Sequence, residues 1–236
     1  EMCIRDRLVT GDGIRRIDLK SLNNVRIKNE RLLCFYNSII YNGKVLSNDT
    51  YKDESKVKYY DVNELIAAKE GEAPAVTELD IIQKQKINFV LAKDGNVYTL
   101  ESADNGCNIV KIKNDFTLEK VFANFQPAKG PYHSSPTIGM VASETENIIY
   151  LVSTDGAIYK YILGDSDSLK APFIAAESGV SITAPLQLNQ QSGELYVTYT
   201  EELKDESKIV VYSKDGKVLH TVDCGESVPS QILFNN

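Results

Sequence analysis

The chain has 236 residues, enough for one sizeable core or for an array of small repeats counted as one domain. Lys and Arg number 26 against 33 Asp and Glu, a net charge of −7, which repels phosphate backbones and makes nucleic acid a poor partner. Hydrophobic residues make up 42% of the chain, ordinary for a globular domain, and no apolar run reaches the roughly 18 residues of a membrane-spanning helix.

Residues 1–7, EMCIRDR, resemble the translation of a sequencing-adapter remnant at a broken gene end. On that reading they are a non-native tail, the true N-terminus is missing and a signal peptide would leave no trace. Residues 8–28 read as strand, turn at Gly11-Asp12-Gly13, strand, turn at Asn23-Asn24, strand. Residues 32–48 form a hairpin about Asn42-Gly43, and 56–61 the next strand. A helix follows from Asp61 to Lys69, with Asp61 as its N-cap and Gly71 just beyond its end. Residues 75–83 return as an outer strand. From residue 86 the pattern is regular, with hairpins about Asp94-Gly95 and Asn114-Asp115. Residues 136–173 hold four strand-like runs, at 137–142, 148–152, 157–163 and 169–174. Further hairpins turn at Ser192-Gly193 and Asp215-Gly216, and SQILF closes the chain.

These runs repeat. Third-strand Ile109, Ile158 and Ile209 are 49 and 51 residues apart, and fourth-strand Phe122, Phe173 and Val222 are 51 and 49 apart. First turns fall at Gly43, Gly95, Asn147 and Gly193, while Pro136, Pro185 and Pro229 precede first strands. The Asp-Gly pairs at 94, 155 and 215 run out of that phase and occupy successive turns of successive units. Four-stranded units of ~40–50 residues are the mark of a β-propeller blade. The expected fold is therefore all-β: one propeller domain over 8–236 with four complete blades, about 32–83, 86–123, 135–175 and 182–223. Partial blades at 9–28 and 229–234 leave an incomplete ring. The competing architecture is a β-sandwich.

With no Trp there is no Trp-Asp repeat signature, and no Gly-Gly doublet marks kelch blades. The stretches ENIIYLVSTDGAIYKYILGD, SGVSITAPLQLNQQSGELYVTY and SKIVVYSKDGKVLHTV carry a different resemblance. Residues 30–236 are similar to the C-terminal propeller region of PKD-like family lipoproteins of Bacteroidetes cell envelopes. That resemblance implies export and a lipid-anchored outer-membrane surface protein. The family's lipoprotein signal and immunoglobulin-like modules are absent from this sequence.

In a propeller, loops leading into first strands and those between second and third strands share one face, where ligands bind. The most distinctive is 124–136, NFQPAKGPYHSSP: Tyr132 offers an aromatic platform, His133 a titratable donor and acceptor, Ser134 and Ser135 hydroxyls. These four are the candidate binding residues, for a glycan or protein at the cell surface; the bland reading is a self-satisfied connector. His220 reads as a solvated strand residue. GDSDS at 164–168 lacks the third acid, central Gly and closing Glu of a calcium loop, and the two KDESK tips, 52–56 and 204–208, read as solvated. Tyr159, Tyr161, Tyr196 and Tyr199 suit packing between blades. No nucleophile elbow, phosphate-cradling loop, Cys-His dyad or metal spacing is present, so no catalytic residue, metal or cofactor is assigned. Cys34, Cys107 and Cys224 leave disulfides open. The function expected is a non-catalytic binding or interaction module; the alternatives are a carbohydrate-active enzyme on a propeller and a cytoplasmic scaffold.

Overall fold

The computed structural model describes residues 7–10, 13–17, 24–27, 38–48, 54–69, 71–72, 74–84, 88–128, 139–201, 206–229 and 232–234. The chain divides into two compact units, Glu1–Phe89 and Val90–Asn236. The first unit opens with strands β1 (Arg7–Thr10), β2 (Gly13–Ile17) and β3 (Asn24–Ile27), paired antiparallel in chain order. This is the strand-turn-strand-turn-strand pattern expected over residues 8–28. A four-stranded sheet follows, β4 (Ile39–Tyr41), β5 (Lys44–Ser47), β6 (Ser55–Asp61) and β7 (Thr77–Gln83), again in chain order. Asn42 and Gly43 both take positive φ, 46° and 72°, the geometry a two-residue hairpin turn demands.

Helix α1 (Val62–Ala67) is inserted between β6 and β7. The Asp61 carboxylate accepts from the Asn63 and Glu64 amides at 2.7 and 3.3 Å, and also holds the Lys44 ammonium at 2.5 Å. Leu65 and Ala68 pack against Tyr60 and Val45. The helix ends at Ala68, whose ψ of 135° leaves the helical region, so Gly71 lies outside it rather than closing it.

In the second unit, β8 (Val90–Leu91), β9 (Val97–Ala103), β10 (Gly106–Ile112) and β11 (Leu118–Phe125) form a four-stranded meander. The next sheet holds β12 (Met140–Ala142), β13 (Ile148–Val152) and β14 (Ile158–Ile162). The last has five strands: β15 (Val180–Ile182), β16 (Gln187–Leu188), β17 (Leu195–Glu201), β18 (Ser207–Tyr212) and β19 (Val218–Gly225).

Each sheet is built from consecutive strands. Short first strands lie side by side, β12 beside β8 and β16. Within the second unit, neighbouring sheets meet face to face. Tyr98 meets Tyr161 edge-on with centroids 6.5 Å apart, and Phe125 meets Tyr159 at 5.7 Å. Between the next pair, Ile148, Tyr150, Val152 and Ile158 share a core with Leu195, Val197, Tyr199, Val210 and Tyr212. The period-2 spacing of Leu195, Val197 and Tyr199 puts all three on the buried face of β17. Burying each such side chain is worth about 1.5–3 kcal/mol. This is an all-β, β-propeller-like fold.

Two details correct the sequence reading. The third module was expected to hold four antiparallel strands, yet its fourth run, 169–174, does not form one. Asp165 instead caps a 3-10 turn, Ser166–Leu169, and the Ser168 hydroxyl takes the Ile162 amide at 2.9 Å. Pro172 has no N–H to give a ladder, and only Ile174 pairs, with Ile158. The last module has a first strand split about Pro185, with β15 and β16 both on β17. The described residues of the closing run, 229 and 232–234, form no strand. They lie on the last sheet: Gln187 accepts the Ile232 amide at 2.7 Å, and Phe234 packs on Tyr196 at 5.0 Å.

The three Asp-Gly pairs fall where the repeat phase puts them: Asp94 in a first-to-second turn, Asp155 in a second-to-third, Asp215 in a third-to-fourth. Asp94 does the most. Its carboxylate accepts from the Asn96 amide at 3.1 Å and the Tyr98 hydroxyl at 2.9 Å, and pairs with Lys111 at 2.8 Å. Burial works against that charge, but the Lys111 ammonium and the hydrogen bonds from Asn96 and Tyr98 outweigh it and hold the carboxyl below its ordinary 3.8. A depressed carboxylate stabilises the fold above its unfolded pKa, and the effect is lost as pH falls through the lower folded value. Asp94→Asn should therefore lower stability by about 1–3 kcal/mol at neutral pH. Urea midpoints should show that deficit shrinking as the pH is taken below about 4.

Candidate functional site

The candidate loop hangs on the end of β13 that leads into the second-to-third turn, Ser153–Ala157. On one side the Ala128 amide donates to the Val152 carbonyl and the Thr154 amide to the Gln126 carbonyl, both at 2.9 Å. On the other, Met140 pairs with Leu151 just after Gly139, whose φ is 84°. Both stems are thus anchored on one strand end, as expected of a first-strand lead-in. Tyr132, His133, Ser134 and Ser135 themselves lie outside the described residues.

Around those stems the rim is polar. Gln126 spans two sheets: its side-chain amide donates to the Asn105 carbonyl, in the β9–β10 turn, at 2.7 Å. Its main chain is the partner of Thr154 in the β13–β14 turn. In the Ser153–Ala157 turn, the Ser153 hydroxyl donates to the Asp155 carboxylate, which also accepts the Ala157 amide at 3.1 Å. Those bonds, the Ser153 one first, hold Asp155 below the usual carboxylate range. It is therefore ionised and engaged by its own turn, the opposite of a general acid, which needs a raised pKa. In the last sheet the lead-in is stapled down as β15, with Val180 opposite Glu201 and Ser181 opposite Thr200. Nearby, Glu177 pairs with Lys208 at 2.8 Å. The rim thus offers hydroxyls, amides and carboxylates suited to hydrogen bonding.

Elsewhere the remaining sequence candidates resolve. Asp165 and Asp167 of GDSDS are engaged in capping the 3-10 turn and in an ion pair with Lys170 at 2.9 Å. His220 is exposed on β19. Among the described residues no group of three or more His, Cys, Asp or Glu is placed to hold a metal ion. Cys107 and Cys224 are free, and Cys3 and Cys34 lie outside the described residues. Burial pushes the Cys107 thiol up to about 11, so it stays protonated and is no nucleophile. The two KDESK tips fall partly outside the described residues.

Sequence reasoning missed the amides that tie sheet to sheet. Besides Gln126, Gln190 accepts the Glu144 amide at 2.8 Å and donates to the Ala142 carbonyl at 3.0 Å. Lys214 adds an ion pair to Glu146 at 2.6 Å. No local pattern marks a turn Gln as a latch, because its partner is about 20 to 50 residues away along the chain.

The family now follows. The chain belongs to the family described as a domain of unknown function, DUF5074, which matches residues 6–235. It is 98% identical to a quinonprotein alcohol dehydrogenase-like protein from Bacteroides thetaiotaomicron VPI-5482, with a TM-score of 0.92. The match covers 98% of this chain but 56% of that one, so the chain spans little more than half of that relative's length. Puromycin hydrolase is similar at TM-score 0.57 and 12% identity, over 94% of this chain and 35% of that one. Prolyl oligopeptidase B from Galerina marginata is similar at 0.55 and 12%, over 89% and 31%. At such identities the likeness is one of fold alone. No curated protein matches the chain.

The Gln126 latch can be tested at the glycine beside it. Gly106 has a φ of 116°, and an added Cβ would stand 2.5 Å from the Phe125 carbonyl and collide with the Gln126 amide. Gly106→Ala should cost about 2–4 kcal/mol by chemical denaturation, strain and overpacking together.

Proposed function

We propose that this protein is a non-catalytic binding module of the bacterial cell surface, taking a glycan or peptide on the rim around the 129–138 loop. The observation that carries the reading is the anchoring of both loop stems on the end of β13. The sheets then fix where the segment between those stems begins and ends, an arrangement binding proteins use to present contact residues. Support also comes from the rim itself, where Asp155 is engaged by its own turn and the groups around it suit recognition better than proton transfer. The resemblance of residues 30–236 to PKD-like lipoproteins supports export to the cell envelope and a lipid anchor, and the relative from Bacteroides thetaiotaomicron fits a bacterial source. On this reading Tyr132 stacks on the ligand while His133, Ser134 and Ser135 hydrogen-bond it.

The test is a glycan and peptide array followed by titration of the best hit. Tyr132→Ala and His133→Ala should each weaken binding by about tenfold, with the thermal midpoint unchanged. Protease accessibility on intact cells of the source organism should place the protein outside. Turnover of any polysaccharide on the array, or binding untouched by both substitutions, would count against the proposal.

A further inference from the structure

At the candidate-loop end of two neighbouring sheets, two hydrogen bonds tie the turns together and leave much of their polar side-chain surface unspent. The Gln126 side-chain amide donates to the Asn105 carbonyl at 2.7 Å, and the Thr154 amide donates to the Gln126 carbonyl at 2.9 Å. Asn105, Gln126, Thr154 and Asp155 are all exposed. Among the described residues the Asn105 side-chain amide, Gln126 Oε1 and the Thr154 hydroxyl have no hydrogen-bond partner. The bonds that the Ser153 hydroxyl and the Ala157 amide give to the Asp155 carboxylate both end on Oδ1, and no other described residue donates to Oδ2. An amide, a carbonyl oxygen, a hydroxyl and a carboxylate oxygen thus follow one another across two sheets, on turns already fixed by their own bonds.

That array suits one of the two ligand classes better. A peptide docks by its main chain on a free sheet edge or by side chains in apolar pockets. Here the nearby main-chain groups are spent on the Ala128–Val152 and Thr154–Gln126 bonds, and Pro127 and Ala128 are buried. A sugar ring instead presents adjacent hydroxyls, each both donor and acceptor, which a carboxylate oxygen and a side-chain amide can take as a pair. Charge selects further. Among the described residues no lysine or arginine lies in the second-to-third turns or lead-ins of the second unit. Lys208, just past one such turn, is held by Glu177 at 2.8 Å. Lys93, Lys113, Lys214 and Lys217 sit in turns at the opposite end of the sheets. We propose that Asn105, Gln126, Thr154 and Asp155 form a subsite that reads the hydroxyls of an uncharged glycan, an inference that rests on the binding function proposed above. Asp155 Oδ2 accepts from one ring hydroxyl, the Asn105 amide donates to its neighbour, and the Asp155 charge turns acidic polysaccharides away.

The test runs the full chain in native affinity electrophoresis, through gels cast with neutral polysaccharides (dextran, mannan, inulin) or acidic ones (polygalacturonate, heparin), with a peptide array alongside. Retardation by a neutral polysaccharide and by neither acidic one is expected. Asn105→Ala and Thr154→Val keep the main-chain bonds of the two turns, so each should weaken binding about three- to tenfold with the unfolding midpoint unchanged. Asp155→Asn, which removes the carboxylate, should weaken it at least as much. Neutral-glycan binding lost with Tyr132→Ala yet untouched by all three of these substitutions would overturn this inference and leave the binding module standing. A peptide or an acidic polysaccharide as the Tyr132-dependent ligand would do the same. Binding to nothing in either gel series or on the array would overturn both.

Discussion

The fold of the second unit depends on side chains wedged between the faces of successive sheets. A four-stranded meander cannot bury both its faces alone, so each module is stable only against a neighbour. Tyr98 against Tyr161, Phe125 against Tyr159, and the shared core of Tyr150 and Val152 with Val197 and Tyr199 are that contact. Aromatic rings suit it because they are long enough to span the gap while their hydroxyls reach polar partners at its edge. Tyr98 does so on Asp94, and Tyr199 on the hydroxyl of Tyr212 at 3.0 Å. Hydrophobic burial supplies the energy, and the latches at Gln126 and Gln190 fix how the modules sit on each other.

That division of labour shapes what function the fold supports. Loops emerge from strand ends whose positions are set elsewhere, so they can change without loss of the core. The stems of the 129–138 loop, held on Val152, Thr154 and Leu151, are a direct instance. Acids near them are tied into turns, and the buried thiol of Cys107 is kept protonated. Hydroxyls, amides and engaged carboxylates make the described part of this rim one suited to hydrogen bonding.

Much of this was legible in the sequence because turn chemistry is local. Gly43, Gly95, Asn147 and Gly193 each close a first-to-second turn, and Ile109, Ile158 and Ile209 each sit on a third strand. The fourth strand of the third module was not legible. The run LKAPF looks like a strand by composition, and what defeats it is a competing local solution, the 3-10 turn capped by Asp165 and tied back to Ile162 by the Ser168 hydroxyl. Likewise the extra strand β15 and the glutamine latches depend on partners distant in the chain. The stems of the candidate loop were readable from their place before a first strand. The latch on Gln126 was not.

The central claim is that sheets of the second unit meet by their side-chain faces, with short first strands adjacent and, among the described residues, only the isolated Pro127–Ser153 bridge rather than a continuous hydrogen-bonded ladder from one sheet to the next. Nuclear Overhauser contacts in the second unit test it most directly. Ring-to-ring cross-peaks between Tyr98 and Tyr161 and between Phe125 and Tyr159 are predicted, with Hα–Hα cross-peaks confined to strands of one sheet apart from the isolated Pro127–Ser153 bridge. Hα–Hα contacts joining β11 to β12 or β14 to β15 in a continuous ladder, with those ring contacts missing, would contradict it.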